Sequence, residues 1–164
     1  METLAQAHQA LLDRLGQLSD HELTRPATSG GGAWSAKDLL GHITFWEEIA
    51  LETLAEWRAG KRPRAEDIFR AGDVDRVNAE NFERKRDLPL EAIRAQAERT
   101  HRALLAAIEG TTDEEWNARA PYETDRRKRL GTLLGSVLGA PERPFGHVFA
   151  HLPDLEAYPA SPRF

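Results

Sequence analysis

Six histidines, at positions 8, 21, 42, 101, 147 and 151, hold most of this chain's capacity for chemistry, because it contains no cysteine. His147 and His151 stand four apart in the string HVFAH, so on a helix both imidazoles leave one face at neighbouring turns. That spacing serves two ligands of one transition metal ion. It also describes an ordinary pair of partly buried, hydrogen-bonded histidines. His42 shifts the balance. Turning by about 100° per residue from Ser35 onward gathers Leu39, His42, Trp46, Ile49, Ala50, Thr53 and Trp57 on one face. A histidine in the middle of such an apolar stripe must find a partner when buried. Alone it is more often a satisfied core residue than a ligand. With the pair it supplies a third nitrogen, and a three-histidine site keeps positions open for water or substrate. Such imidazoles are neutral, so they leave a bound ion strongly Lewis acidic.

Other constellations are weaker. Glu98-Arg99-Thr100-His101 is a Glu-x-x-His element of the kind found in di-iron bundles, which need a second copy; no other histidine here has a glutamate three residues before it. His101 therefore reads as a core or rim histidine. Val148 follows His147 where a zinc protease would carry a general-base Glu, and no Gly-x-Ser-x-Gly elbow is present. Glu47 and Glu48, one turn beyond His42, are the nearest candidates for a carboxylate at the site but read first as solvated helix charges, while Trp34, Trp46 and Trp57 read as core.

The elements that must position these residues are helical. Leu4, Ala7, Leu11, Leu15 and Leu18 recur at three- and four-residue steps, an amphipathic helix ending near Leu18. Ser19-Asp20-His21-Glu22 opens a short turn with a capping box, and TRPATSGGGA marks a loop. Ser35 with Asp38 caps a second long helix over about 36–59, with Trp34 and Leu39 placed as a hydrophobic staple. A further helical region begins near Asp73, carries Val74, Val77 and Phe82, and stops at Asp87-Leu88-Pro89. Leu90, Ile93, Ala97, His101, Leu104 and Ile108 form the next stripe, ending at Gly110. Thr112 to Glu115 is another capping box, before Trp116. After the ARAPYETD loop, Leu130 to Leu138 form a short apolar element. The last helix carries Phe145, His147, Val148, His151, Leu152 and Leu155, with Pro153 expected to kink it. No period-two alternation of useful length appears. The pattern predicts an all-α domain over residues 1–164: a four-helix bundle with accessory turns and a crossover connection between helices two and three.

Composition narrows the function. The 164 residues are 40% hydrophobic and 30% charged, an ordinary globular balance. With 22 basic and 27 acidic residues the net charge is −5, which argues against nucleic acid as the main partner. The basic cluster Arg126-Arg127-Lys128-Arg129 reads as a solvated helix start. The missing cysteines exclude disulfides, thiolate zinc sites and a cysteine nucleophile. No apolar run approaches membrane-span length. METLAQAHQALLDRL lacks the basic start and apolar block of a signal peptide, so a cytoplasmic protein is expected.

AWSAKDLLGHITFWEE, followed far downstream by FGHVFAHLPDLEAY, resembles the DinB/YfiT-like four-helix superfamily over nearly the whole chain. Within it, VNAENFERKRDLPLEAI and HLPDLEAY look closest to the DinB-like subgroup that includes colibactin self-protection proteins. The resemblance implies a four-helix bundle with a crossover, often dimeric, holding a divalent metal, commonly zinc or nickel. Its ligand positions match His42, His147 and His151, the three residues that helical geometry brings forward independently. Asn78 matches a recurrent asparagine at the start of the third helix, for which the resemblance implies a place in the pocket lining and a helix-start hydrogen bond is the simpler role. Some relatives are thiol S-transferases that activate mycothiol, bacillithiol or glutathione, others protect against electrophilic natural products. Two functions are therefore expected as alternatives. One is a metal-dependent enzyme on a small molecule, a thiol S-transferase with a low-molecular-weight thiol as co-substrate or a hydrolase using water. The other is a non-catalytic protein that sequesters an apolar ligand beside a structural metal. A homodimer without nucleic-acid or membrane partners is expected in either case.

Overall fold

The computed structural model describes residues 2–26, 34–122, 128–140 and 143–156. In chain order the helices are α1 (Glu2–Leu15), α2 (Asp20–Thr24), α3 (Ala36–Arg58), α4 (Arg64–Ala71), α5 (Val74–Lys85), α6 (Leu90–Glu109), α7 (Asp113–Asn117), α8 (Leu130–Val137) and α9 (His147–Glu156). Among the described residues no strand forms; the bridges Arg119 to Arg129 and Ala140 to Arg143 are isolated. The all-helical expectation holds. The triple-glycine loop, residues 123–125 of the ARAPYETD loop, and Arg126 and Arg127 lie outside the described residues.

Caps set most boundaries. Ser19 and Ser35 each accept from the backbone N–H three residues on, and Glu22 and Asp38 return the bond, so both capping boxes close. The third box closes only halfway. Thr112 accepts from the Glu115 N–H, but the Glu115 carboxylate turns to the Arg58 guanidinium, 2.6 Å away. α1 ends at Leu15 rather than Leu18, with Gly16 closing the turn. Pro89 is the N-cap of α6, where its missing N–H costs nothing. α9 runs through Pro153 without interruption of its span.

Helix α4 lies where the sequence suggested only a break. Its signals are modest: Pro63 at the N-cap, Glu66 and Asp67 in the first turn, and Gly72 closing it at φ 69°, a left-handed cap that favours glycine. Eight residues with a mean composition this polar are easily read as loop.

α3 is the centre of the molecule. It packs chiefly on α6 and also touches α2, α4, α5, α8 and α9, while α1 lies along α9. One apolar cluster joins Trp46, Ile49, Leu54 and Trp57 to α4, α5, α8 and the far end of α6; a second joins Leu39, Leu40 and Ile43 to α1, Ile93, Val148 and Leu155. Burying each such side chain is worth about 1.5–3 kcal/mol, so the stripes rather than the polar groups hold the helices. Trp46 and Trp57 are buried core, as expected, and Trp34 packs half-buried against the cluster containing Leu39.

Glu47 corrects the sequence reading. It is 5% exposed rather than solvated, and its Oε1 lies 2.7 Å from Nδ1 of buried His101. Position 47 falls on the α6-facing side of α3, where a carboxylate is tolerated only because an imidazole meets it. Glu48, more open, takes Lys85 at 3.4 Å and the Gln96 amide at 2.5 Å.

Candidate metal centre

His42 reaches the site from α3, and His147 and His151 from the first turns of α9. The start of α9 is held firmly. The His147 N–H donates to the Leu138 carbonyl at 3.0 Å and the Phe145 N–H to the Gly135 carbonyl at 3.1 Å, tying α9 to the end of α8. Phe145 has φ 58°, a strained conformation for a bulky residue, and stacks on Trp116 with centroids 5.9 Å apart. At Gly139 a Cβ would sit 2.5 Å from the Gly135 carbonyl oxygen, so the turn needs a glycine. Pro144 and Gly146 thus belong to a pinned turn, and the helix begins at His147 itself.

The three imidazoles converge. His147 Nε2 lies 3.0 Å from His42 Nε2 and 3.2 Å from His151 Nε2. Ring centroids are 4.9, 5.0 and 4.9 Å apart with interplanar angles of 71°, 87° and 74°, a propeller whose edges meet at one point. Two nitrogens about 2.0–2.1 Å from a shared ion stand about 3.0–3.4 Å apart at ordinary coordination angles. The residues present therefore fit a divalent ion, and His42, His147 and His151 could hold one.

Protonation agrees with the geometry. Burial, then the His147 and His151 imidazoles, push His42 from 6.5 down to about 2, with the Asn78 amide opposing them. Burial and His151 push His147 down to about 3. Both rings stay neutral at neutral pH, as ligands must be. Asp154 Oδ2 lies 2.9 Å from His151 Nδ1, which places the proton on Nδ1 and leaves the Nε2 lone pair facing the other rings. The expected support for the other rings is incomplete: His42 Nδ1 is buried with no hydrogen-bond partner among the described residues.

The triad opens on a cavity of about 330 Å³. Trp34, Trp46, Phe69, Val74 and Val137 wall it, and Asn78 and Ser136 contribute polar groups. Trp34 lies over His42 at 5.0 Å and Trp46 stacks on Phe69 at 6.0 Å. Asn78 corrects its expected helix-start role. It lies one turn inside α5, accepts the Trp46 indole N–H at 2.9 Å and borders the cavity. Phe69 and Ser136 were not signalled by the sequence; Phe69 sits on the helix that polar composition concealed. Glu47, Glu48 and His101 do not join this site.

A family model described as the DinB superfamily matches residues 3–152. Comparison with curated proteins and with solved structures gives no match. No helix among the described residues is long and apolar enough to cross a membrane. The match includes all three histidines of the triad, and the chain belongs to the DinB superfamily.

Proposed function

We propose that this chain is a metal-dependent enzyme acting on a small molecule, with zinc or nickel held by His42, His147 and His151. The observation that carries the reading is the convergence of three Nε2 atoms at the mouth of an aromatic cavity. When bound, the divalent ion supplies Lewis acidity that lowers the pKa of a thiol or of water, making a nucleophile near neutral pH.

The chain's own residues suit a borrowed thiol better than water. Among the described residues that line the cavity there is no carboxylate, and imidazole is the general base they offer. A thiol ionises far more readily than water and needs less help. Trp34, Trp46 and Phe69 supply apolar walls for the carbon skeleton of an electrophile. Asn78, oriented by the Trp46 indole, presents its amide toward the same space. Asp154 holds His151 in the ligating tautomer. A thiol S-transferase of the detoxifying kind, in the manner of electrophile-protecting relatives, is the preferred form, as a cytoplasmic homodimer.

The carboxylate-free lining also favours a second reading, a binding protein that sequesters an apolar ligand beside a structural ion. Turnover separates the two. Protein loaded with one equivalent of zinc or nickel is assayed with glutathione, bacillithiol or mycothiol against 1-chloro-2,4-dinitrobenzene, and with a panel of activated esters. Metal-dependent turnover that is lost in His147→Ala supports the enzyme. Ligand binding without turnover in any combination supports the sequestering protein.

A further inference from the structure

A second histidine cluster occupies the opposite side of α3. His8 from α1 stacks on His101 from α6 with centroids 3.5 Å apart and planes 3° from parallel, and His101 is held by buried Glu47. These three groups lie close enough together to be considered as ligands of an ion. The stack argues otherwise. In-plane lone pairs of two parallel rings run side by side, whereas those of the triad, at 71° to 87°, aim at one point. A shared ion would require breaking both the stack and the His101–Glu47 contact.

His8 also lines a groove of about 430 Å³ between α1 and α6, walled by Leu12, Leu15, Leu23, Leu40 and Leu90. That volume lies within the range of small-molecule sites. The charged groups at its edge are committed elsewhere. The Lys37 ammonium donates to the Arg86 and Leu88 carbonyls at 2.5 and 3.0 Å. Arg94 is bound to Asp20 and Glu91, each at 3.0 Å, and Glu98 to Arg102. Among the described residues no hydrogen bond reaches the His8 ring, which burial and then the neighbouring His101 ring hold at about 4. Among the described residues the groove thus offers apolar walls and a single uncommitted polar side chain, an unprotonated imidazole able to accept a proton donor.

We propose that the α1–α6 groove binds a small apolar molecule carrying one hydroxyl, of the alkylphenol class, with its O–H donating to His8. Among the described residues an anion finds no free cation there, and a hydrocarbon leaves the imidazole unpaired. This site is separate from the triad and does not depend on the metal reading.

The test uses the full chain loaded with zinc, titrated with 4-propylphenol, propylbenzene and 4-propylbenzoate while the histidine ring signals are followed by NMR. The expected result is a saturable shift of the His8 signals with 4-propylphenol, binding about five- to tenfold tighter than propylbenzene. His8→Phe keeps a stacked ring and should bind both equally. Leu12→Glu, at a position already 46% exposed, should fold and lose both. Equal affinities in the unsubstituted chain, preference for the benzoate, absence of saturable binding, or a second equivalent of zinc that His8→Phe removes would each overturn the proposal.

Discussion

Replacing Asp154 tests how the triad is tuned without touching a ligand. Its Oδ2 lies 2.9 Å from His151 Nδ1, and the contact fixes both the ring's rotation and the tautomer that bares Nε2. Partners of this kind are typically worth about 10–100-fold in metal affinity. Here the side chains are 23% and 32% exposed, so water screens the pair and competes for the Nδ1 proton. The lower end applies: Asp154→Ala should weaken zinc binding about tenfold, equal to about 1.4 kcal/mol. Asp154→Asn retains an acceptor and should weaken it only about threefold. Competition against a chromophoric chelator at pH 7.5 reads both values, and circular dichroism should show unchanged helix content because the contact lies within one turn of α9. Unaltered affinity in Asp154→Ala would show that His151 does not need this partner, and the tautomer reasoning would be wrong.

Further outcomes follow from the same structure. Glu47→Ala leaves a buried ring nitrogen of His101 without its partner, which costs about 1–3 kcal/mol; thermal unfolding should show a fall of roughly 2–12 °C, and an unchanged midpoint would mean water replaces the carboxylate. In metal-free protein His42 and His147 are neutral when folded but bind protons when unfolded, so stability is lost as pH falls below the ordinary value of 6.5 toward the depressed ones. At pH 5.5 the two together should cost about 3 kcal/mol relative to pH 7.5, seen as a lower denaturant midpoint at unchanged slope; equal midpoints would contradict the neutral triad. Gly131→Ala sets a Cβ 2.3 Å from the Trp116 indole nitrogen, and should destabilise by about 1–3 kcal/mol; calorimetry showing a neutral effect would mean Trp116 moves freely.

The site was more legible than its surroundings. His42 on an apolar helical face and the four-residue step from His147 to His151 are periodic signals, and periodicity survives folding because the helix imposes it. The capping boxes at Ser19 and Ser35 were legible for the same local reason. Glu47 was misread because its burial depends on His101, 54 residues away and on another helix. Asn78 was given a local role for the same cause, since its partner Trp46 is 32 residues distant. α4 was hidden because its apolar side is only Ala65, Ile68 and Phe69, a single turn's worth of stripe in a polar segment. Local chemistry could be read from the chain; cross-helix pairing could not.

The central claim is that three imidazoles hold one divalent ion. It is tested most directly by elemental analysis and X-ray absorption on protein purified without a nickel column and then exposed to one equivalent of zinc. One ion per chain with three nitrogen neighbours at about 2.0–2.1 Å is expected, and none in a variant carrying His42→Ala, His147→Ala and His151→Ala together. An ion bound as tightly by that variant, or no ion bound by the unsubstituted chain, would contradict it.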